Sequence, residues 1–181
     1  MHYFITFSQS LFIDYRHFDF ANIAPRYEFG FGLSYTTFEY SAVSVTAVTG
    51  QPDQDGLLEA NWAASTPNPP VVGGSTALWL HRPMFDVTFN VKNTGRLQGT
   101  EIPQLYVQFP WNSGEPPNVL RGFTDVTLQP GQMQSLTISL SRYDLSVWDV
   151  PSQSWLRAAG TYSVAVGASS RDFRLNAQIP F

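Results

Sequence analysis

The sequence contains no cysteine, only one lysine and few charged residues of either sign. Its 181 residues include 10 Lys and Arg against 14 Asp and Glu, which gives a formal net charge of −4. The absence of cysteine excludes disulfides, thiol catalysis and cysteine-ligated metals. Lys92 is the single lysine, and the arginines are scattered rather than gathered into a basic stripe. We therefore expect no nucleic-acid partner.

Targeting signals and long helical patterns are missing as well. The start, His2 to Ile13, is apolar but has neither a basic n-region nor a small-residue cleavage site, so it is a poor signal peptide. It is also too short and too polar to span a bilayer, so we expect no membrane partner. We interpret this segment as a buried strand. No stretch of a dozen residues places apolar side chains at i, i+3, i+4 and i+7, so no long amphipathic helix is predicted.

Alternation of apolar and polar residues is the main structural signal. Phe85, Val87, Phe89 and Val91 are apolar and the residues between them are polar, which puts one face of a strand on a core. Similar runs lie at 43–47, 136–140, 162–166 and 175–179.

Turn residues separate these runs. Gln129–Gln132 suits a type II turn, with proline and glycine at its central positions. About eight strands after residue 33, spaced by roughly 8–15 residues, predict an antiparallel sandwich or a barrel. The mixture of hairpin-length and longer connections favours an immunoglobulin-like sandwich.

The chain divides into an aromatic, irregular segment at residues 1–32 and a strand-rich region at residues 33–181. Residues 49–83 interrupt the strand-rich region with proline and glycine, which weaken or break strand ladders. We interpret this insert as a long surface loop, of a length that is usually functional or mobile.

Residues 13–40 carry the most specific motif. Its centre, Glu28–Phe38, reads Glu-Phe-Gly-Phe-Gly-Leu-Ser-Tyr-Thr-Thr-Phe. This closely resembles the segment of fungal glycoside hydrolase family 3 β-glucosidases that joins the second catalytic domain to a fibronectin type III-like domain. The resemblance continues in register to the C-terminus and covers nearly the whole chain, with residues 49–83 the least alike. Its further motifs lie at 91–95, 101–107, 120–123, 128–131, 144–149 and 166–172.

The resemblance implies an all-β, fibronectin type III-like antiparallel sandwich with an extended N-terminal linker. It also implies a non-catalytic C-terminal module of a secreted, extracellular enzyme that hydrolyses cellobiose and other β-glucosides. Residues 1–32 would be the terminal strand and linker of a catalytic domain whose other residues lie upstream. One departure is the sequence Ser8-Gln-Ser10, which stands where the family usually has a Glu-Gly pair.

Catalysis in such enzymes needs two carboxyl groups about 5 Å apart across the scissile bond. In the family they lie on upstream domains, and neither motif occurs in this sequence. We therefore expect no catalytic residue, no cofactor and no metal site in this chain, and an enzyme in its own right is the least favoured hypothesis. His2, His17 and His81 show no metal-ligand spacing.

Two other pairs of aspartates are candidates to substitute for these carboxyl groups. Asp144 and Asp149 flank Trp148, and we interpret them as a turn cap and a strand end beside a core tryptophan. Asp14 and Asp19, near Arg16, are interpreted as members of ion pairs at a domain junction.

Two surfaces are candidates for binding. The first is an interdomain packing surface, on which the linker aromatics pack closely because Gly30 and Gly32 allow close backbone approach. It would contact the catalytic domains, and residues 1–30 of the isolated chain would be poorly held or would curl back onto the sandwich. Its residues are Tyr15, Arg16, Phe29, Phe31 and Tyr35.

The second candidate surface would bind polysaccharide or lignin. Carbohydrate sites use exposed aromatic faces, and three tryptophans lie in or beside predicted loops at 49–83 and 109–118. These are Trp62, Trp79 and Trp111. The alternative is that each tryptophan covers the sandwich or packs on the catalytic domains.

Overall fold

The computed structural model describes residues 8, 10–49, 55–69 and 74–181. Within these ranges, no helix is long and apolar enough to cross a membrane. The strand expected over residues 2–13 falls largely outside the described residues. From residue 10 to residue 13 the chain forms a turn and irregular backbone.

Across the described residues, strands dominate and the helices are short. Two α-helices are present, α1 (Tyr15–Phe20) and α2 (Gly56–Ala63), together with 3-10 turns at Leu78–His81 and Tyr143–Leu145. The strands are β1 (Phe38–Ala47), β2 (Pro83–Asn93), β3 (Gly99–Glu101), β4 (Gln104–Gln108), β5 (Val119–Phe123), β6 (Val126–Leu128), β7 (Met133–Ser141), β8 (Val147–Asp149), β9 (Ser154–Leu156), β10 (Ser163–Gly167) and β11 (Phe173–Gln178).

Two antiparallel sheets form the sandwich, as predicted. One has the strand order β1-β2-β7 and the other has the order β11-β10-β4-β5. Two small ribbons, β3-β6 and β8-β9, form separate two-stranded sheets. The eleven strands exceed the predicted eight because strands such as β3 and β5 carry no clear alternation of their own.

The core lies between the two sheets. The predicted inward faces of β2 and β7 are confirmed, since each of the seven side chains is at most 9% exposed. Strands β4 and β10 contribute the opposing side chains. The inward residues are Phe85, Val87, Phe89, Val91, Leu136, Ile138 and Leu140 from one sheet, and Leu105, Val107, Val164 and Val166 from the other.

Local turn chemistry also follows the prediction. Gly131 has a φ of 78°, and the Gln132 amide donates to the Gln129 carbonyl at 3.0 Å, as a type II turn requires. Val43 and Val45 of the edge strand β1 pack against the core but are only partly buried. A bulge between Ser41 and Ser44 shifts the register of β1 against β2.

The insert at residues 49–83 is not only a surface loop, and that interpretation is wrong for its described parts. Helix α2 brings Trp62 into the core, where its Nε1 donates to Ser146 Oγ at 2.7 Å. The Arg157 guanidinium donates to the Ala63 carbonyl at 2.6 Å, and Arg142 pairs with Glu59 at 2.7 Å. Residues distant in sequence therefore hold the insert, which packs its tryptophan into the sandwich core.

A candidate interaction surface on the N-terminal linker

Within the described residues, the linker between Tyr15 and Gly30 packs on the outer face of the four-stranded sheet. Tyr106 of β4 points away from the core, and the Tyr15 ring meets it edge-on at a centroid distance of 6.2 Å. Phe29 stacks on Tyr15 at 4.5 Å, and the Leu120 amide of β5 donates to the Tyr15 hydroxyl at 2.9 Å. Burial raises the pKa of Tyr15, so its hydroxyl stays protonated. The linker is therefore held on the sandwich by stacked aromatic rings.

Polar contacts fix the same stretch to the turn between β10 and β11. The Ser169 hydroxyl donates to a Glu28 carboxylate oxygen, and the Ser170 amide donates to the Phe29 carbonyl at 2.9 Å. The Arg171 guanidinium pairs with Asp19 at 2.8 Å and also donates to the Ile23 carbonyl at 2.7 Å. The predicted ion pairing of Asp19 thus occurs within the chain, whereas Asp14 forms none of the ion pairs among the described residues.

Gly30 is the position where the linker comes closest to the sheet. Its φ is +78°, and a Cβ added there would meet the Gln104 side chain at 2.1 Å. The Gln104 amide donates to the Gly30 carbonyl at 2.9 Å. Gly32, by contrast, has nothing within 4 Å of an added Cβ. The predicted need for glycine therefore holds at residue 30 only.

A second anchor holds the linker at its C-terminal end. The Thr36 hydroxyl donates to Asn93 Oδ1 at 2.7 Å. Asn93 is fully buried, and its amide donates to the carbonyls of Leu97 and Leu128. The linker is thus fixed at Phe29 and again at Thr36.

Between these anchors, apolar side chains point into solvent. Phe31 is 50% exposed, Leu33 is 92% exposed and Tyr35 is 96% exposed. Of the five residues predicted to pack between domains, Tyr15 and Phe29 make contacts within the chain, and Arg16 lies beside Tyr15 with its guanidinium 5.9 Å from that ring. Phe31 stacks on Tyr27 at a centroid distance of 6.1 Å but keeps half of its surface in solvent, and Tyr35 remains open. We call Phe31, Leu33 and Tyr35 the linker strip.

Phe31 and Leu33 of the linker strip line a cleft of about 390 Å³. One wall consists of linker residues between Gly30 and Phe38, and the other includes Glu101 of β3 and Asp172 and Arg174 near the start of β11. Arg174 pairs with Asp172 at 2.8 Å and lies 3.7 Å from Glu101. Charged groups therefore line a cleft whose rim is apolar.

Tyr40 connects this charged group to the core. Its hydroxyl donates to Glu101 Oε1 at 2.8 Å, and the Arg174 guanidinium lies 4.7 Å from its ring centroid. Burial, reinforced by the Glu101 carboxylate, raises the pKa of Tyr40 well above the usual tyrosine range. The hydroxyl is therefore a permanent donor to Glu101. Sequence reasoning missed this cluster, because its members come from three separate strands.

The three tryptophans chosen as carbohydrate-binding candidates do not form one surface. Trp62 and Trp79 are 0% and 2% exposed, so neither presents a free face, and the idea that they lie on exposed loops is wrong. They are buried because α2 and the turn at Leu78–His81 fold onto the sandwich. Trp111 is 96% exposed, on the loop between β4 and β5.

The acidic residues around Trp148 form turns rather than a paired site. Asp144 accepts hydrogen bonds from the Ser141 amide and hydroxyl, which confirms its role as a cap. Asp149 ends β8, and hydrogen bonds from Ser152 hold the pKa of its carboxyl below the usual range. The expectation that Trp148 is a core residue is wrong, since it is 39% exposed on the marginal β8-β9 ribbon. In the described ranges, no three His, Asp or Glu side chains are grouped so that they could hold a metal.

Comparison with known proteins shows what the chain is similar to. Residues 101–170 match the fibronectin type III-like domain model. The chain is 47% identical over 169 residues to a probable β-glucosidase L of Neosartorya fischeri, an alignment that covers 93% of this chain and 21% of that protein. The chain thus spans about a fifth of the length of the curated relatives that it matches.

Solved structures give the same result. A β-D-glucoside glucohydrolase from Trichoderma reesei superposes with a TM-score of 0.79 at 40% identity, covering 95% of this chain and 22% of that one. A glycoside hydrolase family 3 β-glucosidase from Neurospora crassa superposes with a TM-score of 0.75 at 29% identity. This superposition covers 93% of this chain and 27% of that one.

Proposed function

The chain carries a fibronectin type III-like domain and corresponds to the C-terminal region of fungal family 3 β-glucosidases, and we propose that it is a non-catalytic module that stabilises their catalytic domains by packing against them. The parent would be a secreted enzyme that releases glucose from cellobiose and other β-glucosides. Residues 1–32 would belong to the junction and residues 33–181 to the module.

The linker strip is the observation that carries this proposal. Leu33 and Tyr35 are almost fully exposed, yet they lie on backbone that is fixed on both sides by Phe29 and Thr36. Exposed apolar patches of this kind mark interaction sites. Truncating an interface residue costs about 2 kcal/mol or more where it is a hot spot, and tyrosine is among the residue types enriched at such positions.

A chimera tests the proposal directly. This chain would replace the corresponding C-terminal region of the Trichoderma reesei enzyme, which is 40% identical to it. The double variant Leu33→Ser, Tyr35→Ser should speed the heat inactivation of β-glucosidase activity at least tenfold, because each lost apolar contact weakens the interface. The isolated chain should show an unchanged thermal midpoint, since both side chains are already in water.

Leu57→Ser is the matched control, because Leu57 is 75% exposed on α2, away from the linker. Equal inactivation rates for the double variant and this control would refute the packing role. Hydrolysis of an aryl β-glucoside by the isolated chain would refute the non-catalytic assignment.

A second candidate function is adhesion to polysaccharide or lignin, which the exposure of Trp111 favours. Aromatic faces supply large contact areas at low entropic cost. The isolated chain should be retained on insoluble cellulose or lignin, and Trp111→Ala should reduce the retained fraction while Leu57→Ala does not. Equal retention of all three proteins would exclude Trp111 as the contact.

A further inference from the structure

We propose that the cleft beside the linker strip receives a lysine or arginine side chain, presented by the polypeptide that packs on Leu33 and Tyr35. This rests on the proposed packing function and specifies the chemistry of the partner. The cleft, of about 390 Å³, falls within the range of ligand-sized pockets. Phe31 and Leu33 line it, so a segment that covers Leu33 lies over its mouth.

The charge of the cleft favours a cation. Two carboxylates, Glu101 and Asp172, share one guanidinium, that of Arg174. Arg174 binds Asp172 at 2.8 Å and donates to the Phe38 carbonyl at 3.1 Å, while Glu101 lies 3.7 Å away from it. The guanidinium is therefore committed mainly to Asp172, and the group retains a net negative charge.

Glu101 has acceptor capacity that the described residues leave unused. Its side chain is 13% exposed, and Oε1 accepts the Tyr40 hydroxyl at 2.8 Å. Among the hydrogen bonds of the described residues, Oε2 accepts none. Covering this oxygen with an apolar side chain would remove its water without replacing the hydrogen bond, which costs about 1–3 kcal/mol or more for a charged group. An anion would be repelled by both carboxylates.

A cationic side chain satisfies the same oxygen at close range. A charge-assisted hydrogen bond is roughly twice as strong as a neutral one, and the surrounding protein lowers the local dielectric constant. A free polyol would also donate to Glu101, but it would leave Leu33 and Tyr35 uncovered. A polypeptide that carries a cation accounts for both the charge and the apolar rim.

The test uses the chimera with the Trichoderma reesei enzyme and the variant Glu101→Gln. Glutamine has the same shape and still accepts the Tyr40 hydroxyl, but it lacks the charge. We expect heat inactivation to become about fivefold faster, the factor for loss of roughly 1 kcal/mol. Glu101→Asp, which keeps the charge, should recover part of the difference.

Asp86→Asn is the matched control. It removes one carboxylate on β2, where asparagine can still accept the Ser139 hydroxyl, and it lies away from the cleft. We expect the inactivation rate of this variant to equal that of the unmodified chimera. In the isolated chain, Asp86→Asn should unfold at the wild-type midpoint. Glu101→Gln should lower the midpoint only slightly, because it weakens the 3.7 Å pair with Arg174 and the hydrogen bond from Tyr40.

Three results would overturn the proposal. Equal heat-inactivation rates for the Glu101→Gln and Asp86→Asn chimeras would show that no cation binds in the cleft. Equal destabilisation of the isolated chain by Glu101→Gln would assign Glu101 a purely internal role. If the double variant at Leu33 and Tyr35 accelerates inactivation but Glu101→Gln does not, the cleft proposal fails while the packing function stands.

Discussion

Replacing Trp62 tests whether the insert is part of the fold. The side chain is fully buried, belongs to the core and lies 6.1 Å from the ring of Phe181. Truncating a buried tryptophan to alanine costs about 3–5 kcal/mol, from the lost transfer energy and the cavity that remains. Since a domain is stable by only about 5–15 kcal/mol, Trp62→Ala should remove a large part of the total.

Urea unfolding followed by far-ultraviolet circular dichroism measures this loss without depending on tryptophan emission. With a slope of about 2 kcal/mol per molar urea, the midpoint should fall by roughly 1.5–2.5 M. Trp62→Phe keeps most of the buried area but loses the donor to Ser146 Oγ, and it should cost about 1 kcal/mol plus the smaller ring. Ser146 retains its hydrogen bond to the Arg142 carbonyl at 2.6 Å.

Trp111→Ala provides the reference. Because Trp111 is 96% exposed, its removal should change the free energy of unfolding by no more than about 0.5 kcal/mol. If Trp62→Ala and Trp111→Ala unfolded at the same urea concentration, helix α2 would not be packed in solution as it is in the structure.

Three other single changes give independent checks. Gly30→Ala should accelerate hydrogen exchange of the linker amides, because the new Cβ would meet Gln104 at 2.1 Å and the φ of residue 30 is +78°. Gly32→Ala should leave the exchange rates unchanged, because nothing lies within 4 Å of a Cβ there. Equal exchange rates in the two variants would contradict the role of residue 30. Gly122→Ala, whose Cβ would lie 2.5 Å from a core methyl group, should destabilise the sandwich by about 1–3 kcal/mol, and an unchanged urea midpoint would refute this. Burial raises the pKa of Glu115 above its ordinary 4.5, so the folded state holds the proton more tightly and wild-type stability falls as pH rises above that value. Glu115→Gln should therefore raise the midpoint at about pH 7 but much less at about pH 3.5, and an equal gain at both would contradict this reasoning.

The sandwich was predictable where the signal is local. Strand β2 alternates apolar and polar residues over its length, and the period of two is a direct consequence of strand geometry. The type II turn at Gln129–Gln132 follows from proline and glycine in the same way. Both signals are carried by neighbouring residues, so the sequence pattern alone identifies them, although β2 forms its ladders with the distant strands β1 and β7.

The insert was mispredicted because its order comes from distant contacts. Helix α2 has eight residues, too few to be stable in isolation. Its hydrogen bond from Trp62 to Ser146 spans 84 residues, and the one from Arg157 to Ala63 spans 94. Proline and glycine correctly signalled interruptions of the sheets. They carried no information about the short helix between them.

Trp148 shows the converse error. It lies on a strand, as expected, and an aromatic residue in a strand usually faces a core. The β8-β9 ribbon, however, lies outside the two main sheets, so one side of it stays in water. A pattern along one strand specifies which residues share a face, but not which faces are covered.

The linker strip gains its significance from the order of its backbone. A flexible tether with the same aromatic residues would lose conformational entropy on binding, which costs about 1–2 kcal/mol for each residue fixed. Here Glu28 and Phe29 hold one end and Thr36 holds the other, so most of that loss has already occurred on folding. A partner that covers Leu33 then gains the burial energy with little further ordering, which is the advantage of a preorganised interface.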